Sequence, residues 1–123
     1  MDSNVKDDKR SKGNIGEDLA VRYLKSQGYK ILDRNFHCRV GEIDIIAQEN
    51  QTLVFVEVKT RWSKKFGEPQ EAVTPWKLKS IIKTGQYFKL LHPKLSEDLR
   101  IDVVAIDLES KFPKVELIKN VTG

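Results

Sequence analysis

Residues 40–47, VGEIDIIA, and residues 53–59, LVFVEVK, are two apolar-rich runs separated by five polar residues, QENQT. A chain with this pair is directed into a β-hairpin, because each run alternates at the period of a strand and the spacer holds turn-forming residues. In the second run Leu53, Phe55, Glu57 and Lys59 share one face, while Val54, Val56 and Val58 share the other. A strand that is apolar on both faces near its start belongs in the middle of a sheet. In the first run Glu42 and Asp44 share one side, with Ile43 and Ile45 on the other.

The register follows by arithmetic. A four-residue loop over residues 49–52 pairs Gln48 with Leu53, then Ile46 with Phe55, then Asp44 with Glu57. A slip of one residue would send Asp44 to the opposite face and misplace the isoleucines and valines, so the hydrophobic pattern favours the paired register. Two carboxylates roughly 5 Å apart in a partly desolvated setting repel each other, and a shared proton or a cation between them relieves the repulsion. Mg²⁺ (or Mn²⁺) suits such a pair, since it takes oxygen ligands and is often held by one or two carboxylates plus substrate phosphate. The backbone carbonyl of Val58 is a further candidate metal ligand. Lys59, two residues beyond Glu57 on the same face, is placed to stabilise charge developing on a phosphate.

The rest of the chain supplies the surroundings. Residues 1–12 carry charges of both signs and little to bury, which reads as a flexible tail ahead of a single domain over residues 13–123. Apolar residues at helical spacing (Ile15, Leu19, Ala20, Tyr23, Leu24) predict a helix over residues 14–27, with Gly28 as its C-cap. On its wheel, at about 100° per residue, Glu17 falls at the rim of the buried stripe and Asp18 toward solvent. A strand over residues 29–37 precedes the hairpin, whose own strands cover residues 40–47 and 53–60. After a loop near residues 63–74, Thr74-Pro75 opens a second helix with N-cap and N1 chemistry. Leu78, Ile81, Ile82, Gly85 and Phe88 form its apolar face. Residues 101–108 then read as a buried strand and Lys114–Ile118 as a short edge strand. The order αβββαβ(β) predicts an α/β fold with a mixed sheet, the strand after the second helix lying parallel to residues 53–60 through a right-handed crossover.

Composition narrows the function classes. The 22 Lys and Arg against 18 Asp and Glu leave a net charge of +4, compatible with a polyanionic partner without requiring one. The only cysteine is Cys38, which excludes an intrachain disulfide and a thiolate-rich zinc site. No apolar run is long enough for a signal peptide or a membrane span, so the expected location is cytoplasmic.

The string Asp44-x12-Glu57-x-Lys59, preceded by a helix carrying Glu17, resembles the PD-(D/E)XK nuclease superfamily, and most closely its archaeal Holliday-junction-resolvase-like branch. A longer pattern covers residues 13 to about 107: GxxGExxAxxYL, GYxIxxRN, GEIDxIA, LVFVEVKxR, EAVxxxK and a DVVAI-like final strand. It looks like the YraN-type family of small bacterial proteins. The resemblance implies a restriction-endonuclease-like fold and metal-dependent cleavage of DNA. Asp44 and Glu57 would be metal ligands, Lys59 the catalytic lysine and Glu17 an auxiliary acid. Ile43 stands where the superfamily's name has proline.

Arg61, Lys64, Lys65, Lys77 and Lys79 follow the hairpin and could track a phosphate backbone. A solvated surface is the plain reading of the same residues. Trp62 and Trp76 flank the loop and could stack on an unpaired base, although tryptophan more often serves packing. Glu42 is set aside as a sheet-end or solvent residue, and Asp102 is read as a buried structural anion or a solvent-facing one. His37 and His92 are too few and too scattered for a histidine-metal site. The expected partner is DNA, branched or junction DNA being the case that would require two sites and so a homodimer. The alternative is a catalytically lapsed domain that binds nucleic acid or a protein.

Overall fold

The computed structural model describes residues 5–61 and 73–122, with side chains from residue 14 onward. Helix α1 spans Val5–Ser26, strands β1 Lys30–Cys38, β2 Gly41–Glu49 and β3 Thr52–Arg61, helix α2 Pro75–Leu91, and strands β4 Leu99–Asp107 and β5 Lys114–Ile118. The tail expected over residues 1–12 falls on residues 1–4, outside the described residues, and on the start of α1, of which only backbone is described. Most of the loop expected at residues 63–74 also lies outside them.

The five strands form one sheet in the order β1-β2-β3-β4-β5. Neighbours are antiparallel except β3 and β4, which run parallel from Leu53↔Leu99 to Arg61↔Asp107. The class is α/β, a mixed sheet with one helix on each face. Strand β3 is central and buried on both sides. On one side Val54 and Val56 pack with Ile45, Ala47, Val104 and Ile106 under Ala20, Val21 and Leu24 of α1. On the other, Leu53 and Phe55 pack with Ile43, Ile46 and Ile101 under Ile81 and Phe88 of α2.

Two glycines set how closely the helices approach. A Cβ on Gly16 of α1 would lie 2.1 Å from Thr60 Oγ1, and one on Gly85 of α2 would lie 2.2 Å from Phe55 Cε2. Each helix therefore rests backbone-first on β3. Thr74 caps α2, its hydroxyl accepting the Lys77 N–H at 3.2 Å, with Pro75 at the first helical position.

Four expectations need correction. The hairpin pairs Gln48↔Leu53 and Ile46↔Phe55 as the pattern requires, but Glu49↔Thr52 also pairs, so the turn is Asn50-Gln51 alone. Asn50 takes the left-handed conformation (φ 54°) that a short turn demands. Ile43 and Ile45 do not share a face: Ile43 packs under α2 and Ile45 under α1. In α2 it is Thr84 that is buried with Ile81, Gly85 and Phe88, whereas Ile82 is exposed. The stripe turns toward Thr84 because α2 crosses Gly41, where a Cβ would sit 2.1 Å from Ser80 Oγ and 2.8 Å from Thr84 Oγ1. Ile15 is likewise exposed, its neighbours Gly16 and Glu17 being the buried ones.

Asp102 is wholly buried and structural. Its Oδ2 accepts the Tyr29 hydroxyl at 2.7 Å, and its Oδ1 accepts Arg100 Nε and Asn120 N–H, each at 2.9 Å. Arg100 also pairs with Glu49, which Lys119 holds at 2.9 Å, so the buried charge is matched and hydrogen-bonded. No helix among the described residues is long and apolar enough to cross a membrane.

Candidate functional site

The paired ladder of β2 and β3 ends at Ile45↔Val56, one step short of the expected Asp44–Glu57 pair, which the ladder does not include. Beyond it a side chain takes over from the backbone: Asp44 Oδ2 accepts the Val58 N–H at 2.8 Å. The cause lies across the sheet, on β1. There Arg34 pairs with Ile45 and Phe36 with Ile43, leaving Asn35 at the level of Asp44. Asn35 is left-handed (φ 55°), a conformation that asparagine tolerates better than most residues. The pleat is therefore interrupted on both strands at this level, which is why Ile43 and Ile45 face opposite ways and why β2 parts from β3 beside Glu57.

The parting leaves a cavity of about 460 Å³ lined by Asn14, Glu17, Asp44, Glu57, Val58, Lys59 and Thr60. The four residues read from the sequence as chemical, Glu17, Asp44, Glu57 and Lys59, all line it. Glu17 comes from α1, which the Gly16–Thr60 contact holds against the end of β3. Its side chain is buried, with Oε1 accepting Arg34 Nε at 2.9 Å and Asn35 Nδ2 at 3.0 Å. Asp18 points outward, where Arg34 Nη2 meets it at 2.8 Å.

Burial pushes the Glu57 carboxyl up to about 7, the negative charge of Asp44 and a hydrogen bond between the two groups pushing the same way, against the pull of Lys77. Asp44 is also raised, first by burial and then by the charges of Glu17 and Glu42, while the Val58 N–H and Lys77 oppose the shift. Both shifts favour a protonated carboxyl, and a nearby cation opposes them. Part of that role falls to Lys77, whose Nζ lies 3.6 Å from Glu57 Oε2.

Of the other cationic candidates, Lys79 is exposed on α2 and Arg61 lines a separate cavity with Asp107, Lys114 and Glu116. Lys64 and Lys65 lie outside the described residues, as does Trp62. Trp76 is exposed at the start of α2. His92 caps the end of α2 with its ring 4.2 Å from that of Phe88, and His37 is exposed on β1. Sequence reasoning did not single out Arg34 and Asn35 as site residues. The two residues stand in the RN of the GYxIxxRN pattern, but strand alternation would send their side chains to opposite faces, so periodicity gave no sign that they converge.

The model of the uncharacterised protein family UPF0102 matches residues 16–106. A UPF0102 protein of Caldicellulosiruptor saccharolyticus is 46% identical over 114 residues, covering 91% of this chain and 97% of the relative. One of Geobacter metallireducens is 47% identical over 111 residues (90% and 91%), and one of Caldicellulosiruptor bescii is 51% identical over 113 residues (88% and 93%). The matched span runs from the helix glycine that seats α1 to the next-to-last residue of β4, and so takes in every described residue that lines the carboxylate cavity except Asn14. The chain belongs to the UPF0102 family.

Proposed function

We propose that this protein is a metal-dependent phosphodiester hydrolase acting on DNA, with Asp44 and Glu57 holding Mg²⁺ or Mn²⁺. The observation that carries the reading is the pair of half-buried carboxylates lining one cavity where β2 leaves β3, a setting that raises the pKa of both. The donor set fits a hard divalent ion: it is all oxygen, and its repulsion is what a dication relieves. Among the described residues no three His, Cys, Asp or Glu side chains converge as a cage for an ion. Two carboxylates leave room for water and phosphate oxygens, the arrangement Mg²⁺ favours, and the Val58 carbonyl is a candidate third ligand. When bound, such an ion would act as a Lewis acid on the phosphate and lower the pKa of water.

The chain's own residues divide the remaining work. The Val58 N–H fixes the Asp44 carboxylate by holding Oδ2. Lys59 lines the same cavity, where its ammonium would stabilise the negative charge that grows on a phosphate under attack. Lys77, already at Glu57, can turn to a phosphate oxygen once a metal neutralises that carboxylate. Glu17 supplies an acid on the far wall to orient the attacking water. Lys79 and Arg61, with Lys64 and Lys65, are the candidates for contacts along the DNA backbone.

The test is incubation with branched, nicked and single-stranded DNA in Mg²⁺ or Mn²⁺. Cutting is expected in the wild type and its loss in Asp44→Asn, with DNA binding kept. A protein that binds DNA but binds no divalent ion and cuts nothing would instead be a nucleic-acid-binding module. Because cutting a four-way junction takes two such sites, the mass in solution with and without a junction reports whether a homodimer forms.

A further inference from the structure

We propose that Arg34 and Asn35 are positioning residues that aim Glu17 at the carboxylate pair. The inference rests on the functional reading above and extends it to residues outside the cavity lining. Arg34 Nε, Arg34 Nη2 and Asn35 Nδ2 all reach the same atom, Glu17 Oε1, at 2.9, 2.9 and 3.0 Å. Oε2 takes no donor among the described residues. A carboxylate held by one oxygen keeps the other available, and Glu17 lines the cavity that contains Asp44 and Glu57.

The local backbone explains how two consecutive strand residues reach one oxygen. Side chains of neighbouring residues on a regular strand point to opposite faces. The left-handed Asn35 breaks that rule, so Arg34 and Asn35 both turn to α1, while Phe36 packs on the α2 side against Phe88 with ring centroids 5.1 Å apart. The same irregularity faces Asp44 across the sheet, so the clamp on Glu17 and the parting of β2 from β3 share one cause. Arg34 also holds Asp18, fixing the rotation of α1 about the Gly16–Thr60 contact. Oε2 is thereby set to accept a hydrogen bond from water lying between α1 and the two carboxylates. Glu17 then orients that water and takes its proton as the new P–O bond forms and the ester P–O bond breaks, the departing oxygen being protonated from solvent.

Asn35 allows side chain and backbone to be separated. Asn35→Gly keeps the left-handed conformation and removes the amide, whereas Asn35→Asp replaces a donor with a charge that repels Glu17. Mn²⁺ is titrated into the full chain without DNA and free ion is read by electron paramagnetic resonance. Glu17 acts through water rather than as a ligand, so Arg34→Gln and Asn35→Asp should weaken Mn²⁺ binding by less than the about 10- to 100-fold lost when a ligand's own partner is removed, with Asn35→Gly losing less and Arg34→Lys partly restored. With DNA, kcat should fall in the same order at unchanged KM. If Arg34→Gln and Asn35→Asp fold and match the wild type in both readouts, or if Glu17→Gln does, the proposal is overturned. Should Arg34→Gln not fold, Asn35→Gly decides alone, and a wild-type value there overturns it. If the wild type itself binds no Mn²⁺, the metal-site reading fails first, which the titration shows before any variant is made.

Discussion

Asp44 and Val58 are joined by a hydrogen bond in which the carboxylate Oδ2 accepts a backbone N–H at 2.8 Å, beyond the last paired residues of the hairpin. The bond gives Asp44 a structural task beside its chemical one. Asp44→Asn retains an oxygen for the Val58 N–H, whereas Asp44→Ala leaves that donor without it. Thermal unfolding in chelator should therefore separate the two, the alanine variant being less stable than the asparagine variant by about 1–2 kcal/mol.

Burial and Asp44 hold Glu57 near 7, so between the ordinary carboxyl range and that value the folded protein keeps a proton that the unfolded chain has released. Stability of the metal-free protein should fall as pH rises through this window, by up to about 3 kcal/mol. Denaturant titrations from pH 4.5 to 8 in chelator test this, and Glu57→Gln should flatten the slope. Divalent-ion affinity should climb across the same range, because the ion competes with the proton on Glu57.

Lys77 stands 3.6 Å from Glu57 where a metal would also be drawn. Lys77→Met removes a competing cation, so at pH 8, where protons no longer compete, Mn²⁺ should bind about two- to fivefold more tightly in the absence of DNA. Cleavage should nevertheless slow, since the amine is lost from the phosphate. Unchanged affinity by calorimetry would show that the contact has no part in the site.

At Gly85 the ring of Phe55 occupies the space a methyl would need. Gly85→Ala should destabilise by about 1–3 kcal/mol through overpacking, even though alanine favours helix by about 1 kcal/mol. Gly28 is the contrast: its φ is 92° and no atom lies within 4 Å of a built Cβ, so Gly28→Ala carries only a backbone cost of about 1–2 kcal/mol. Urea unfolding of the two variants compares them directly.

The Tyr29–Arg100–Asp102 network holds α1's face together away from the carboxylate cavity. Asp102→Ala takes the buried acceptor from Tyr29 and the Asn120 N–H and leaves Arg100 with Glu49 alone as its anion, which should cost about 3 kcal/mol in chemical denaturation. Mn²⁺ affinity of the folded variant should match the wild type.

Much of this architecture was legible in the chain because it rests on periodicity. Alternation in LVFVEVK marked β3 as central, the Gln48↔Leu53 register followed from face matching, and Thr74-Pro75 marked the start of α2. These are properties of neighbours in sequence, and hydrophobic burial enforces them over every residue of an element at once. Asp44, Glu57 and Lys59 were legible for the same reason, since period and register bring them to one end of one sheet, and the helical wheel put Glu17 at the rim of the stripe that faces it.

Tertiary structure alone decided what happens at Asp44. A single left-handed residue on the adjoining strand, Asn35, breaks the pleat, sends Ile43 and Ile45 to opposite faces, and opens the gap that Asp44 closes on Val58. No periodic pattern encodes a one-residue interruption, whose consequence depends on what lies across the sheet and above it. Likewise, the clamp on Glu17 exists only because Gly16 lets α1 come down on Thr60. The sequence by itself determined that the carboxylates meet at the end of the hairpin; the contacts between strands and helix decided which of their oxygens are held and which are left open.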